Sequence, residues 1–440
     1  MNYLKYIPSR ISYFIILSII VSSCIEEVDL GIGRSERAKG ILIVEGKLTN
    51  EVSNHRIVLS KIDTLLDLQI DSVFNPFTPI RDIDRDLIPY EENANVIIVD
   101  GSGTIFPFLE VSPGNYESIE PFGAQIGTTY RLQITTADGI GYTSKEMALH
   151  GLAEIENIYA EKTISDAGEE GIGIFIDNTT KEGSVNNLRF TYDETYKIVA
   201  PFWDENDFKL TNYDPCALPV PTYDLEIVPR EEEQQVCYGN ALSNTIIQAR
   251  QPNSDTGSLK RFMVRFISKN NFILSHRYSI EVTQQVSSEE SFGFYEQLNN
   301  FSQSGSVFSQ IQPGFLEGNL SANNGQSGLV IGFFDVVSIS KKRLFFNFTD
   351  IYPGESLPPF IFNCGELSSP ESHVSYCFPG LAPGGCPQSI IEQVNLDLIS
   401  YVRPNEEGLG SCPGPHIFVF RICGDCTLLG SNIKPDFWID

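Results

Sequence analysis

The chain has 440 residues, with Lys+Arg 30 against Asp+Glu 57 and a formal net charge of −27. So acidic a balance argues against nucleic acid and against electrostatic attraction to anionic lipid. A hydrophobic fraction of 41% with 11% aromatics supplies ample core material and excludes disorder over most of the length, which suggests about three domains.

Lys5 and Arg10 make a short positive region, and Ile11 to Ile20 is an almost unbroken apolar run, too short to span a bilayer. It ends in Val21-Ser22-Ser23-Cys24, where small residues precede a cysteine as lipoprotein signal peptidase requires. Residues 1–23 are therefore expected to be a lipoprotein signal peptide and Cys24 the lipidation site. An ordinary secretory signal or an uncleaved anchor is the alternative, but charge, length, small residues and cysteine all agree on the first reading. Buried acyl chains contribute roughly 0.8 kcal/mol per CH₂, so several together hold a protein on a membrane. All acidic residues follow Cys24 and two basic ones precede it, so the chain from Cys24 onward carries 28 − 57 = −29. Residues 24–39 read as an acidic linker, and Glu26, Glu27 and Asp29 resemble the signal that sends Bacteroidetes lipoproteins to the outer face of the outer membrane.

The fold class expected is mainly β. Residues 40–150 show short strands separated by turn residues, as in an immunoglobulin-like β-sandwich. Tyr130-Arg131-Leu132-Gln133-Ile134 alternates apolar with polar, the period of a half-buried strand. Asn95 to Val99 runs into Asp100-Gly101-Ser102-Gly103, a hairpin signal. Ile41 to Leu48, Arg56 to Lys61 and Gly139 to Lys145 are further strands. Leu65 to Glu92 is polar, Pro-containing and long for a connection, so it is either functional or disordered.

Residues 151–350 read as a second β-rich domain, in which Leu188 to Tyr192, Phe262 to Phe266 and Tyr278 to Val282 alternate. One helix is expected near 288–302. Ser287 or Ser288 caps it, Glu289 and Glu290 suit its positive end, and Phe294, Leu298 and Phe301 share a face made for core packing. Residues 351–440 hold six cysteines with many Pro and Gly and read as a disulfide-stapled segment packed on the second domain.

Apart from Cys24, eight cysteines remain: Cys216, Cys237, Cys364, Cys377, Cys386, Cys412, Cys423 and Cys426. An even number in an exported chain reads as disulfides. Cys216 and Cys237 stand apart from the rest and are expected to pair, while the other six leave every connectivity open. Phe202, Trp203, Tyr213 and Tyr223 flank the Cys216 to Cys237 loop, where aromatics could stack on sugars or grip a partner; they fit core at strand ends equally well.

Arg277-Tyr278-Ser279-Ile280 with Val282 and Gln284, Gly305-Ser306-Val307-Phe308, Gly318-Asn319 and Gly332-Phe333-Phe334 occur in the order found in the lipoproteins grouped as domain of unknown function 4249. Ile43-Val44-Glu45-Gly46 and Gly114-Asn115-Tyr116 resemble that family's N-terminal half. Cys423-Gly424-Asp425-Cys426, Gly430 and Lys434-Pro435-Asp436-Phe437-Trp438 resemble its ending. The resemblance implies a Bacteroidetes outer-membrane lipoprotein, commonly encoded beside a TonB-dependent receptor. It implies no chemistry for any residue, and Tyr238 departs from the Trp found after this cysteine in many members.

Catalytic patterns are not evident in the sequence. His55, His150, His276, His373 and His416 show no metal-ligand spacing, and no nucleophile elbow or phosphate-binding Gly-rich loop occurs. Cys423-Gly424-Asp425-Cys426 could be a redox motif, but it follows an apolar strand rather than opening a helix, which favours structural disulfides. Asp82, Asp84 and Asp86 are spaced like the start of a calcium loop, yet Leu87 replaces the needed Gly and Asn93 the needed Glu, so an acidic solvated loop fits better. No enzyme activity, cofactor or metal is expected. The expected role is a binding or accessory component of the outer membrane, held by its lipid and facing the cell surface beside a TonB-dependent receptor for capture or uptake of a solute. A cell-surface adhesion or spacer module is the alternative.

Overall fold

A computed structural model describes residues 41–62, 90–183, 185–251, 258–303, 316, 318–323, 328–372, 388–410 and 413–440. The signal peptide, Cys24, the acidic linker, most of the Leu65 to Glu92 insertion with its Asp82, Asp84 and Asp86, and Cys377, Cys386 and Cys412 lie outside them.

The chain is mainly β. Its first strands are β1 (Ile41–Thr49), β2 (Arg56–Ile62), β3 (Asn95–Asp100), β4 (Ile105–Ser112), β5 (Asn115–Ser118), β6 (Thr129–Thr135), β7 (Gly141–Ser144) and β8 (Met147–Ala148). Then come β9 (Gly151–Ile164), β10 (Glu170–Gly183), β11 (Asn187–Val199), β12 (Asn206–Asp214), β13 (Thr222–Pro229), β14 (Val236–Leu242), β15 (Ile247–Arg250), β16 (Phe262–Ser268) and β17 (Arg277–Ser287). Helix α1 (Glu289–Gln303), β18 (Leu320–Ala322), β19 (Val330–Asn347), β20 (Ile399–Pro404) and β21 (His416–Phe420) complete the main elements.

Local pattern explains the strands. In β6 the buried residues are Tyr130, Leu132 and Ile134, the apolar half of the alternation. Their long-range order is less obvious: β14, β11, β17, β19, β1, β2, β5, β4, β3, β6, β7 and β18 follow one another as one hydrogen-bonded series. Its pivot is β19. Val330–Val337 run parallel to Leu42–Thr49 of β1, and Ser338–Asn347 run antiparallel to Val286–Arg277 of β17. A parallel pair needs a crossover between its strands; here the crossover is residues 50–329. Gly332 sits where β19 meets β1, with a positive φ of 144° and the Val44 carbonyl filling the place of a Cβ.

Two apolar cores result. The first gathers Leu42, Leu48, Ile57, Val96, Leu132 and Tyr142 with Phe333 and Phe334 of β19. The second lies between the three-stranded sheet β16–β10–β9 and strands β11, β17 and β19, and contains Ile172, Ile174, Phe190, Val264, Tyr278, Ile280, Phe346 and Tyr352. Helix α1 falls within the second half of the sequence but packs on the first core, through Phe294 and the partly buried Leu298. The Ser288 hydroxyl accepts from the Ser291 N–H at 3.0 Å, capping the helix as its sequence suggests.

The C-terminal segment is stapled by Cys237–Cys426 and Cys364–Cys423, with Cα separations of 5.7 and 5.8 Å. This corrects the expected Cys216–Cys237 pair. Tyr238 exchanges backbone hydrogen bonds with Ser431 at 2.8 and 3.0 Å, so the returning chain delivers Cys426 to Cys237. Cys216 lies beyond β12, on the separate ribbon β12–β13, and is itself disulfide-bonded. Cys423 and Cys426 each bond a distant cysteine rather than one another, which is the structural arrangement and not the redox one.

Candidate functional site

At the ends of three neighbouring strands the second core opens into a cavity of about 560 Å³. Lys197 and Val199 come from the end of β11, and Ser275, His276 and Arg277 from the turn entering β17. Asn347, Phe348 and Thr349 lie where β19 passes into a short helical turn, and Leu357 and Asp440 complete the wall. Because Tyr196 pairs with Tyr278 and Arg277 with Asn347, the sheet register itself places Lys197, Arg277 and Asn347 side by side.

The C-terminal residues form one wall. Trp438 is buried, with its ring edge-on to Tyr238 at 5.0 Å and to Phe345 at 5.7 Å. It anchors Ile439, whose carbonyl accepts from Arg277 Nε, and Asp440, whose carboxylate accepts from Lys434 at 2.6 Å and from Trp438 Nε1 at 3.2 Å. The Lys434 hydrogen bond holds the Asp440 carboxyl below the usual carboxylate range. The Lys197 side chain, by contrast, makes no ion pair or hydrogen bond among the described residues and meets Asp440 only as a through-space charge. Burial, then the Lys197 charge, holds His276 below the ordinary imidazole range, so it is neutral at pH 7. The cavity thus presents the Lys197 and Arg277 cations, a neutral imidazole, the hydrogen-bonded Asp440 carboxylate and the apolar sides of Val199, Phe348 and Leu357.

Two other polar clusters are structural. Where β1, β11, β19 and α1 meet, Asp335 is fully buried and accepts from Ser291 Oγ at 2.5 Å, with Arg189 Nη2 at 3.5 Å. Burial pushes the Asp335 carboxyl up and the nearby Lys47 amine down. Arg189 also donates to Gln285 at 2.7 Å and lies 3.6 Å over the Tyr295 ring, which joins helix to sheet. In the second core Glu194 accepts from Arg265 at 3.1 and 3.2 Å and from the Tyr278 hydroxyl at 2.5 Å; burial, reinforced by Glu194, lifts that phenol well above its usual value.

The aromatic candidates do not form one surface. Trp203 packs beneath the disulfides with Ile198, Cys237, Cys426 and Phe360, and the Phe202 N–H donates to the Cys423 carbonyl at 3.0 Å. Tyr213 and Tyr223 lie on the β12–β13 ribbon, where Tyr213 occupies an irregularity facing Tyr223 and the Tyr223 hydroxyl donates to Glu371 at 2.7 Å. All four are half-buried. An apolar surface does exist on the outward face of β4, where Ile105, Leu109 and Val111 are 57, 62 and 55% exposed. Among the described residues no group of three or more His, Cys, Asp or Glu side chains is placed to hold a metal ion.

Fold and cavity together define a mainly β protein whose two packed units share one long strand and whose C-terminus is disulfide-stapled over a ligand-sized hollow. The chain belongs to the family described as a domain of unknown function (DUF4249), whose model matches residues 25–343. That match ends before the Cys423 to Trp438 stretch that resembles the family's ending. No curated protein matches the chain. Several segments that carry the resemblance are architectural: the Asn319 amide exchanges two 2.8 Å hydrogen bonds with the Phe334 backbone, clamping β18 to β19.

Proposed function

We propose that the chain is an outer-membrane lipoprotein, anchored through Cys24 and facing the cell surface, that acts as a binding or accessory component beside a TonB-dependent receptor in capture or uptake of a solute. The observation that carries this reading is the cavity beside β11, β17 and β19, because it is large enough for a small molecule and its Lys197 side chain makes no ion pair or hydrogen bond among the described residues. The lipobox at Val21 to Cys24 supports the anchor, and the exposed apolar face of β4 supports contact with another protein. Holding both partners in one membrane raises their effective concentration, so a modest interface suffices.

The experiment is affinity purification of the lipidated chain from gently solubilised outer membranes after crosslinking in intact cells. A receptor is expected to co-purify, less so as salt rises, since the chain's negative charge favours a basic complementary surface. Deleting residues 65–89, or substituting Leu109→Glu on β4, tests the two contact regions. Absence of any receptor after crosslinking would replace this reading with the adhesion or spacer one.

A further inference from the structure

We infer that the cavity binds a small organic anion, with the carboxylate or phosphate oxygens held by Lys197 and Arg277 and the apolar body resting on Val199, Phe348 and Leu357. The inference rests on the reading of the chain as a solute-binding protein and names the class of solute.

Charge placement carries the argument. Carboxylates outnumber cations 57 to 30 in this chain, so an unpaired lysine is not explained by a shortage of acids. Surface lysines show the usual outcome: Lys260 meets Glu156 at 2.6 Å and Lys341 meets Glu51 at 2.8 Å. Lys197 lies half-buried in a cavity whose one acidic side chain, Asp440, already accepts from Lys434 and Trp438. Asp440 thus takes its hydrogen bonds from Lys434 and Trp438 and meets Lys197 only as a through-space charge.

Arg277 is fixed rather than idle. Its Nε donates to the Ile439 carbonyl, Nη1 lies 3.4 Å from Asn347 Oδ1, and the guanidinium sits over the Phe345 ring. A guanidinium has five N–H donors in a rigid fork, so these bonds orient it while leaving donors for a further acceptor. The imidazole of His276 also lines the cavity and makes no hydrogen bond among the described residues. An oxyanion would accept from Lys197 and Arg277 through charge-assisted bonds, with its apolar body against the apolar wall. The strongly negative net charge repels anions at a distance. At physiological salt that repulsion is screened beyond roughly 8 Å, whereas contact with the cavity cations is not.

The test uses the detergent-solubilised mature protein and fluorine NMR of para-fluorobenzoate, with para-fluorobenzamide as its neutral counterpart of the same shape. The benzoate line should broaden with added protein, and the benzamide should bind about tenfold more weakly or worse, the effect of losing one charge-assisted contact. Lys197→Gln should weaken the benzoate by a similar factor while leaving the melting temperature nearly unchanged, because the Lys197 side chain makes no ion pair or hydrogen bond among the described residues. Displacement by inorganic phosphate would extend the assignment to phosphate-bearing solutes, and failure to displace would confine it to carboxylates. Equal binding of the amide, unaltered binding by Lys197→Gln, or no broadening by the benzoate would each overturn the anion assignment. Co-purification of a receptor is read independently, so that failure is distinguishable from failure of the accessory role.

Discussion

Removing the Cys237–Cys426 bond by replacing both residues with alanine tests the corrected connectivity and the stapled C-terminus together. The two cysteines are 189 residues apart; the Cys364–Cys423 bond shortcuts 59 of these and the Cys216 disulfide shortens the path further, so the effective loop is at most about 130. On the chain-entropy account, closing such a loop removes unfolded-state freedom equivalent to at most about 5 kcal/mol. Both residues are fully buried, so the missing sulfur atoms add a packing loss to the entropic one. Urea unfolding of the wild type and the double variant, followed by tryptophan fluorescence, measures the difference. Peptide mapping without reduction should recover the peptide of Cys237 joined to that of Cys426. A stability loss below about 1 kcal/mol would refute the staple, given the loop-closure magnitude expected. A peptide joining Cys216 to Cys237 would refute the pairing outright.

Three further outcomes follow from buried polar contacts. Glu194→Ala leaves Arg265 and the Tyr278 hydroxyl without their acceptor and should cost about 3 to 5 kcal/mol in urea unfolding, whereas Glu194→Gln, which keeps an acceptor for Tyr278, should cost less. Asn319→Ala orphans the Phe334 N–H and C=O and should cost about 3 kcal/mol; a change within experimental error would show that β18 does not depend on the clamp. His55 is buried against Phe122, with Nε2 2.7 Å from its carbonyl, and burial lowers its pKa in the fold. The unfolded chain therefore takes up a proton before the folded one does, so this contribution is complete above the ordinary histidine pKa of about 6.5 and is lost as pH falls below it towards the folded value. His276 and His416, also lowered chiefly by burial, act in the same direction. A His55→Gln variant should show a shallower fall of melting temperature between about pH 7 and 5.5, and an unchanged slope would exclude the buried imidazole as its source.

Strands were legible where the physics is local. The alternation of Tyr130, Leu132 and Ile134 marks one buried face, and the serine before Glu289 and Glu290 marks the start of α1. What pairs with what was not legible. The apolar residues of β1 and of Val330–Val337 announce two buried strands, but nothing in either names the other as its parallel partner. The cysteine expectation failed for the same reason: closeness in sequence suggested Cys216 for Cys237, while the Tyr238–Ser431 bridge brings in a residue from the far end of the chain. The cavity left no local mark. Lys197, His276, Arg277 and Asp440 are single residues at strand ends and at the C-terminus, assembled only by the register of β11, β17 and β19. The nearest signal was Lys434 to Trp438, recognisable as a family ending but not as the wall of a hollow. Trp203, whose sequence position fitted a contact residue and core at a strand end equally well, packs beside the Cys237–Cys426 bond.

Native mass spectrometry of the mature lipidated chain, extracted from its own membranes in mild detergent, tests the solute-binding reading most directly. The account predicts a fraction of the protein carrying one small molecule, released on activation as an anion, and a much smaller fraction in Lys197→Gln prepared identically. Only ligand-free protein in the wild type, before and after addition of a concentrated growth-medium extract, would contradict it.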